Sequence, residues 1–385
     1  MRVLQVHTTY REAGGEDSVV RAECRLLERA GHVVTRHEAA NPRGVRSAPV
    51  LAASPYNALA GRSAVAAAVE ADADVAHIHN TWYAMGPAVP TALARAGVPV
   101  VVTLHNYRRV CVNASLFRDG GPCTDCVGRA PWAGVRHRCY RDSAVASAAA
   151  AAGILLNRWA QIPDRFVGVF LALNAFMADV LIRGGLPADK VVVKSNSVPD
   201  PGPRAHPPSE GHDVVVVGRV EPLKGVDLLV DAWEQVAPAG LGLVVVGEGP
   251  LRASLEARAV KGVRFTGQQT PAQVRELLLG ARALVLASRL FEGQPMSVVE
   301  AMAAGLPVLA PRAGGNPELL SDLGPEWLVP PTGLGAWVDA LEWLSSASAS
   351  TVDTAGQAAR ARWTRHHTEP VALAALQRAY KRAGA

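Results

Sequence analysis

The sequence predicts an α/β protein built from two doubly wound domains, and three observations carry that expectation. Short strand-like runs such as Val3 to Val6, Val100 to Leu104, Asp213 to Val217 and Ala283 to Ala287 recur along the chain. Each feeds a polar or Gly-rich loop and then apolar residues at helical spacing, the alternation of a parallel sheet covered on both faces. The length, 385 residues, exceeds what one hydrophobic core ordinarily supports. Between the halves, Pro199 to Gly211 is rich in Pro and Gly and has no apolar period, which reads as a linker. The expected organisation is a first domain over 1–198, a linker over 199–212, a second domain over 213–365 and a final helical segment over 366–385.

Composition narrows the class. A hydrophobic content of 49% with 5% aromatics describes an Ala/Val/Leu-rich globular protein and excludes a disordered one. No apolar run reaches membrane-span length, and the chain opens directly on a strand, so neither a signal peptide nor an anchor is expected and the location reads as cytoplasmic. The net charge of +5 is concentrated: from His105 to Asp142 there are seven Arg, three Asp and no Lys or Glu. Such a cluster suits a charged acceptor, an anionic membrane surface or simple solubility.

In chain order, the first strand runs into His7 to Asp17, whose Gly14-Gly15 opens a helix with Val19, Val20, Cys24 and Leu27 on one face. Glycines at such a turn let a phosphate approach backbone N–H groups, but the spacing is not Gly-x-Gly-x-x-Gly, which disfavours a dinucleotide cofactor. The strand Val75 to His79 ends in His79-Asn80, and Val100 to Leu104 ends in His105-Asn106-Tyr107-Arg108. Ligands of open parallel sheets bind beyond the carboxyl ends of strands, so these residues are placed for a ligand pocket. Asp72-Ala73-Asp74 imitates a metal-binding Asp-x-Asp, yet it precedes its strand and reads as a solvated turn. Cys111, Cys123, Cys126 and Cys139 include one tight Cys-x2-Cys pair, compatible with a structural Zn²⁺ or with reduced thiols packed as small hydrophobes. Ala144 to Leu156 reads as a buried helix, Arg165 to Leu171 as a strand, Phe176 to Ile182 as a helix and Val191 to Val193 as a strand.

In the second half, Gly218-Arg219 to Lys224-Gly225 follows a strand and precedes a helix, while Gly267-Gln268 ends another strand. Arg219 and Lys224 could hold a diphosphate, Arg bidentately and Lys as a point charge. The central stretch is Arg289 to Gly305, with Glu292 in a loop and Glu300 about one turn into a helix that begins near Met296 behind Pro295. A helix start offers free N–H groups and partial positive charge to a phosphate, and flanking carboxylates accept hydroxyl hydrogen bonds on either side. A nucleotide sugar has that layout. Helical patterns follow at Ala336 to Leu344 and Pro370 to Tyr380.

Glu292-x7-Glu300 followed by Ala301-Met302-Ala303-Ala304-Gly305-Leu306-Pro307-Val308 resembles the signature of the family 4 retaining glycosyltransferases of the GT-B fold, and Gly218-Arg219-x5-Gly225 matches it as well. The resemblance implies two Rossmann-like domains around a cleft, with the last helix crossing back to the first. It implies retaining, metal-independent transfer from a nucleotide-diphosphate sugar, with no protein nucleophile. His105, Arg219, Lys224 and Glu292 would form the catalytic set. The donor would meet Gly14, Gly15, Gly218, Arg219, Lys224, Gln268, Glu292, Gly293, Gln294, Met296, Ser297 and Glu300. The acceptor would meet His79, Asn80, Asn106, Tyr107 and Arg108, with the Cys/Arg-rich loop shaping its pocket. Pro295 departs from the glycine the family often carries, so no amide can donate there. Acceptors compatible with the sequence are a small natural product or aminocyclitol, a lipid-linked sugar or a polysaccharide; nucleic acid is not among the expected partners, and a peripheral contact with the inner membrane face stays open. Two other readings are a sugar-nucleotide enzyme such as an epimerase, separable by product analysis with and without acceptor, and a catalytically silent binding protein, against which the retained Arg219, Lys224, Glu292 and Glu300 speak.

Overall fold

The protein is described here by a computed structural model covering residues 1–9, 14–41, 56–331 and 333–385. Tyr10 to Ala13, inside the first Gly-bearing loop, lie outside the described residues. The chain divides into two compact units, one of Met1–Leu116, Cys123–Ser195 and Pro370–Ala385, the other of Phe117–Pro122 and Asn196–Glu369.

The first unit holds six parallel strands: β1 (Arg2–Thr9), β2 (Val33–Ala40), β3 (Val75–Asn80), β4 (Val100–Leu104), β5 (Val169–Ala172) and β6 (Val191–Val193), in the spatial order β2-β1-β3-β4-β5-β6. β3, β4 and β5 are buried along their whole length, as expected of a sheet covered on both faces. The last helix, Glu369–Ala383, places Leu376, Ala379 and Tyr380 in one apolar cluster with Val3, Val75, Val101 and Val169. Each large apolar side chain buried in this way contributes about 1.5–3 kcal/mol.

The second unit repeats the scheme with β7 (Asp213–Val217), β8 (Gly242–Val246), β9 (Val263–Gly267), β10 (Ala283–Val285), β11 (Val308–Pro311) and β12 (Leu328–Val329). Their order is β9-β8-β7-β10-β11-β12, all pairs parallel. From β7 the sheet grows one way through β8 and the other way through β10. This reversal leaves a crevice beyond the strand ends, where ligands of such sheets bind.

Several elements differ from the sequence expectation. The stretch 165–171 is not one strand: a helix, Ile162–Phe166, precedes β5. A proline in the first helical turn favours that start, and apolar residues alone do not separate a short helix from a strand. The helix Ala144–Trp159 is buried on one face only, through Ser147, Ala150, Ala151 and Ile154, while Val145 and Trp159 are 81% and 83% exposed. An 18-residue helix, Ala349–His366, has no counterpart in the expectation. Its buried face is made of Val352, Ala355, Gly356, Ala359 and Trp363, mostly too small to mark an apolar stripe. The Pro/Gly-rich stretch 199–212 lies within the second unit and is tied down there. Arg204 donates to the Leu278 and Ala281 carbonyls at 2.8 and 2.6 Å, and the Ser209 hydroxyl to Asp353 at 2.8 Å. Composition does not reveal such a strap.

One buried ion pair organises the first unit. Lys194, just past β6, donates to Glu23 at 2.7 Å, both side chains being under 5% exposed. Burial works to raise the Glu23 pKa, but the Lys194 charge and hydrogen bond outweigh it and hold the carboxyl below its usual range. Removing one partner leaves an uncompensated buried charge, so Lys194→Met is expected to destabilise the protein by about 3–5 kcal/mol. The double change Lys194→Met with Glu23→Leu is expected to recover most of that loss, as measured by urea denaturation.

Candidate active site

In the second unit the candidate residues gather at the switch point between β7 and β10. β7 ends at Gly218, and the chain passes Arg219 into the turn Pro222–Lys224 and then the helix Val226–Val236. Gly225, at φ 67°, is needed here: a Cβ would collide with the Ala287 carbonyl. That close approach seats the turn on the segment leaving β10. The Arg289 amide donates to the Leu223 carbonyl at 3.0 Å, and its guanidinium reaches the Pro222 carbonyl at 2.6 Å and Asp227 at 3.0 Å. Lys224 Nζ consequently lies 2.6 Å from Glu292 Oε1. Gly314, also at positive φ (61°), backs onto Phe291 and Glu292, where a Cβ would come within 3.3 Å of the Glu292 nitrogen.

The two carboxylates have opposite electrostatics. For Glu292, burial pushes the pKa up, but the Lys224 charge and hydrogen bond, the Ser288 hydroxyl and the Arg219 charge prevail and lower it. Glu300, in the helix Met296–Ala303, is pushed up to about 7 by burial. Among the described residues its carboxylate has no hydrogen-bond or ion-pair partner. The helix start has no side-chain cap, and its N-cap is Pro295. The amides of Met296 and Ser297 therefore point out of the first turn as unsatisfied donors. Arg219 is 60% exposed and bridges to Glu221 at 2.8 Å. Gln268 is exposed at the end of β9. Gly293 lies in the loop before the helix. The Gln294 side chain is committed elsewhere, accepting from the Asn196 amide at 2.5 Å with its Nε2 3.2 Å from His367 Nδ1, so only its backbone is left for a ligand.

In the first unit, the sheet reverses between β1 and β3, and a hydrogen-bonded set of side chains occupies their carboxyl half. Gln5 Oε1 lies 2.8 Å from His79 Nε2, and His79 Nδ1 lies 3.0 Å from His105 Nε2. The Gln5 carbonyl can only accept, so His79 carries its proton on Nε2 and accepts at Nδ1. His105 therefore donates from Nε2 and keeps Nδ1 as an acceptor. Burial, with Lys194 and His7 adding to it and Glu23 opposing, lowers the His105 pKa to about 3, so the ring is neutral. Beside it, His77 meets Thr103 at 2.7 Å and the Tyr380 hydroxyl at 2.9 Å. Gly14 caps the helix Gly15–Arg29, but its own amide donates to Asp17 at 2.9 Å and Asp17 also meets His7 at 2.7 Å. The Gly14 amide is thus engaged by Asp17 in this structure.

A cavity of about 320 Å³ opens beside His105, entirely within this unit. His79, Asn80, Asn106 and Arg108 line it, but Tyr107 does not. The Val110 and Cys111 amides both bond to the Tyr107 carbonyl, and the resulting turn buries the tyrosine while Arg108 and Arg109 face the cavity. Arg108 is stacked 4.5 Å from the Trp82 ring and 5.6 Å from Tyr140.

Among the described residues no three of Cys111, Cys123, Cys126 and Cys139 bring their sulfurs within 4.8 Å of one another. Burial raises the Cys111 and Cys126 pKa values, against backbone hydrogen bonds from Leu116, Asn113, Ala114 and Ser115 to Cys111 and from Gly134 to Cys126, and Cys111 donates to Asn113 at 2.9 Å. The trio that does converge, Glu23, His77 and His79, has its ring nitrogens and the carboxylate engaged with Thr103, Tyr380, Gln5, His105 and the Lys194 ammonium. A cation would have to displace Lys194. Asp72 and Asp74 bind Arg2 at the opposite strand edge.

Sequence reading missed Gln5, Glu23, His77 and Lys194, polar residues inside apolar strands or helices, and Arg109 and Arg158 of the cavity. The Arg-rich run from His105 to Asp142 was a signal for Arg109, whereas Arg158 lies outside it.

The chain matches the family model for glycosyl transferases group 1 over residues 211–347 and that for the glycosyl transferase 4-like domain over 14–197. It belongs to the family 4 glycosyltransferases of the GT-B fold. Among curated relatives, D-inositol 3-phosphate glycosyltransferase of Segniliparus rotundus is 27% identical over 262 residues, 64% of this chain and 53% of that protein. The enzyme of the same name from Mycobacteroides abscessus is 34% identical over 138 residues, 33% of this chain and 30% of that protein. The match thus spans about half or less of these relatives' length. Among solved structures, sucrose-phosphate synthase from Thermosynechococcus elongatus aligns with a TM-score of 0.71 at 16% identity, covering 98% of both chains. HepE from Anabaena in complex with UDP aligns with a TM-score of 0.66 at 17% identity, covering 98% of this chain and 99% of that one. At such identities the likeness establishes the fold.

Glu300 supplies a pH test. Its folded pKa, about 7, lies above the ordinary glutamate value of 4.5, so between those values the folded state holds the proton more tightly. Stability from this group is full below about 4.5, falls as pH rises toward 7, and is flat above. Glu300→Gln is therefore expected to match the wild-type melting temperature near pH 4.5 and to exceed it at pH 8, by the equivalent of about 3 kcal/mol. Scanning calorimetry at the two pH values checks this.

Proposed function

We propose that the protein is a retaining, metal-independent glycosyltransferase that moves a sugar from a nucleotide-diphosphate donor to an acceptor hydroxyl. The observation that carries the reading is the set collected at one switch point: the cations Arg219 and Lys224, an uncapped helix start at Met296, and the unpartnered carboxylate of Glu300.

In this reading the diphosphate lies against Arg219, Lys224 and the amides of Met296 and Ser297, with Gly218 letting the backbone approach. Negative charge develops on the leaving phosphate as the anomeric C–O bond breaks, and fixed cations and helix dipoles aimed there lower the barrier. They take the part a divalent metal would otherwise play. Glu300 accepts from the ribose hydroxyls and Glu292, held ionised by Lys224, from hydroxyls of the transferred sugar. Gly293 and the backbone of Gln294 flank that sugar, and Gln268 packs toward the base. The acceptor oxygen forms the new C–O bond on the face the diphosphate leaves, and a phosphate oxygen takes its proton. His105 presents Nδ1 as a fixed acceptor for a sugar hydroxyl. Its neutral ring does not draw the diphosphate away from the cations.

UDP is the first base to test, because the HepE complexes contain UDP or UDP-glucose. The acceptor class follows the open readings of the sequence, namely a small natural product or cyclitol, a lipid-linked sugar or a polysaccharide. No helix among the described residues is long and apolar enough to cross a membrane. The exposed Trp132, Val145 and Trp159 of the first unit support a peripheral contact at the inner membrane face by a cytoplasmic enzyme.

Thermal shift against UDP, GDP, dTDP and ADP sugars is expected to single out one base. With that donor, Arg219→Ala and Glu300→Ala should each weaken binding or turnover roughly 10- to 100-fold without unfolding the protein. Unchanged kinetics in both would overturn the assignment. Because ribose hydroxyls favour ionised Glu300, donor binding near pH 7 should also release a fraction of a proton. Calorimetry in buffers of different ionisation enthalpy should detect that release in the wild type and lose it in Glu300→Gln.

A further inference from the structure

The described lining of the cavity beside His105 is basic. Its wall contains three guanidinium groups, Arg108, Arg109 and Arg158, and no Asp or Glu. The three are not equivalent. Arg108 is occupied by its aromatic neighbours Trp82 and Tyr140. Arg109 faces the Phe170 ring at 5.1 Å and, among the described residues, has no hydrogen-bond acceptor or counter-ion. Its surroundings push its pKa down to about 10, while the side chain keeps part of its surface open to the cavity. Arg158, on the helix Ala144–Trp159, donates from Nη1 to the Arg129 carbonyl at 2.7 Å, whereas its Nε and Nη2 are buried without a partner.

Leaving such donors unmet is costly, and a buried cation is ordinarily paired. A structural role alone does not explain two open guanidinium groups, brought from a loop and a helix to the wall of one cavity. A carboxylate is met by one bidentate guanidinium, whereas a tetrahedral phosphate offers enough oxygens and charge for two from different directions.

We infer that this cavity is a phosphate-binding subsite formed by Arg109 and Arg158, and that the acceptor of the proposed transfer carries a phosphate group held there, with its reacting hydroxyl near His105. The inference rests on the proposed reaction for the word acceptor, but the subsite itself is testable without turnover. The phosphate belongs either to a soluble sugar or cyclitol phosphate or to a lipid headgroup, and the chemistry recognised is the same.

The experiment uses the full chain saturated with UDP, so that the donor site no longer competes for phosphate. A UDP-induced rise in melting temperature comes first; its absence would count against the proposed function rather than against the subsite. Inorganic phosphate added next is expected to raise the midpoint further and to bind in calorimetry, with sulfate competing and chloride at equal ionic strength inert. Arg158→Ala and Arg109→Met should each weaken phosphate binding roughly 10- to 100-fold. Should Arg109→Met fail to fold, Arg158→Ala, on the flank of a helix, keeps the test meaningful. Glucose 6-phosphate compared with glucose, and phosphatidic acid vesicles compared with phosphatidylcholine vesicles, then identify the source. Preference for either phosphorylated probe, lost in Arg158→Ala, supports the subsite. No phosphate effect on the UDP-saturated wild type, or an effect unchanged in Arg158→Ala, overturns it.

Discussion

The contact between Lys224 and Glu292 is the constraint on which the second unit's site depends. It joins the loop after β7 to the loop after β10, the two strands between which the sheet changes direction. Gly225 permits the approach by having no Cβ, and Arg289 ties the same loops together through backbone carbonyls. The pair holds the Glu292 pKa down despite its burial, while Glu300 eight residues on has no partner among the described residues and is pushed up to about 7. Two carboxylates on one loop-helix segment thus have different proton affinities, set by what each one touches.

The first unit solves a different problem, that of keeping histidines neutral and oriented inside a sheet. Both nitrogens of His77 and of His79 have partners, and the chain from Gln5 through His79 to His105 assigns each proton while leaving His105 Nδ1 open. Glu23 and Lys194 nearby carry equal and opposite charge, so the interior holds many polar groups with little net field. The cavity next to it follows the opposite rule. Among the described residues, Arg109 has no hydrogen-bond acceptor there and Arg158 keeps Nε and Nη2 without a partner.

Much of the architecture was legible in the sequence. Strands followed by Gly or polar loops, such as Asp213 to Gly218 and Ala283 onward, announced parallel sheets because the alternation of periods two and 3.6 is a local property. Glu292, Glu300, Arg219 and Lys224 could be singled out because a helix start, a glycine turn and a strand end are all recognisable within a few residues. The helix Ala349–His366 was not legible, since Ala and Gly pack closely without leaving an apolar signature. Nor was the strapped segment around Arg204 and Ser209, whose partners lie 74 to 144 residues away.

What the sequence alone determined is the order of strands and loops, the family signature and the residue types at the strand ends, all encoded by neighbours in the chain. Tertiary structure decided which of those groups are used up and which are open. It spent the amide of Gly14 on Asp17, buried Tyr107 and kept three thiols from converging. Among the described residues, it also left Glu300, Arg109 and Arg158 with unmet hydrogen-bonding capacity. The reason is physical: desolvation and pairing depend on atoms brought close by folding, and their separation in sequence carries no record of that distance.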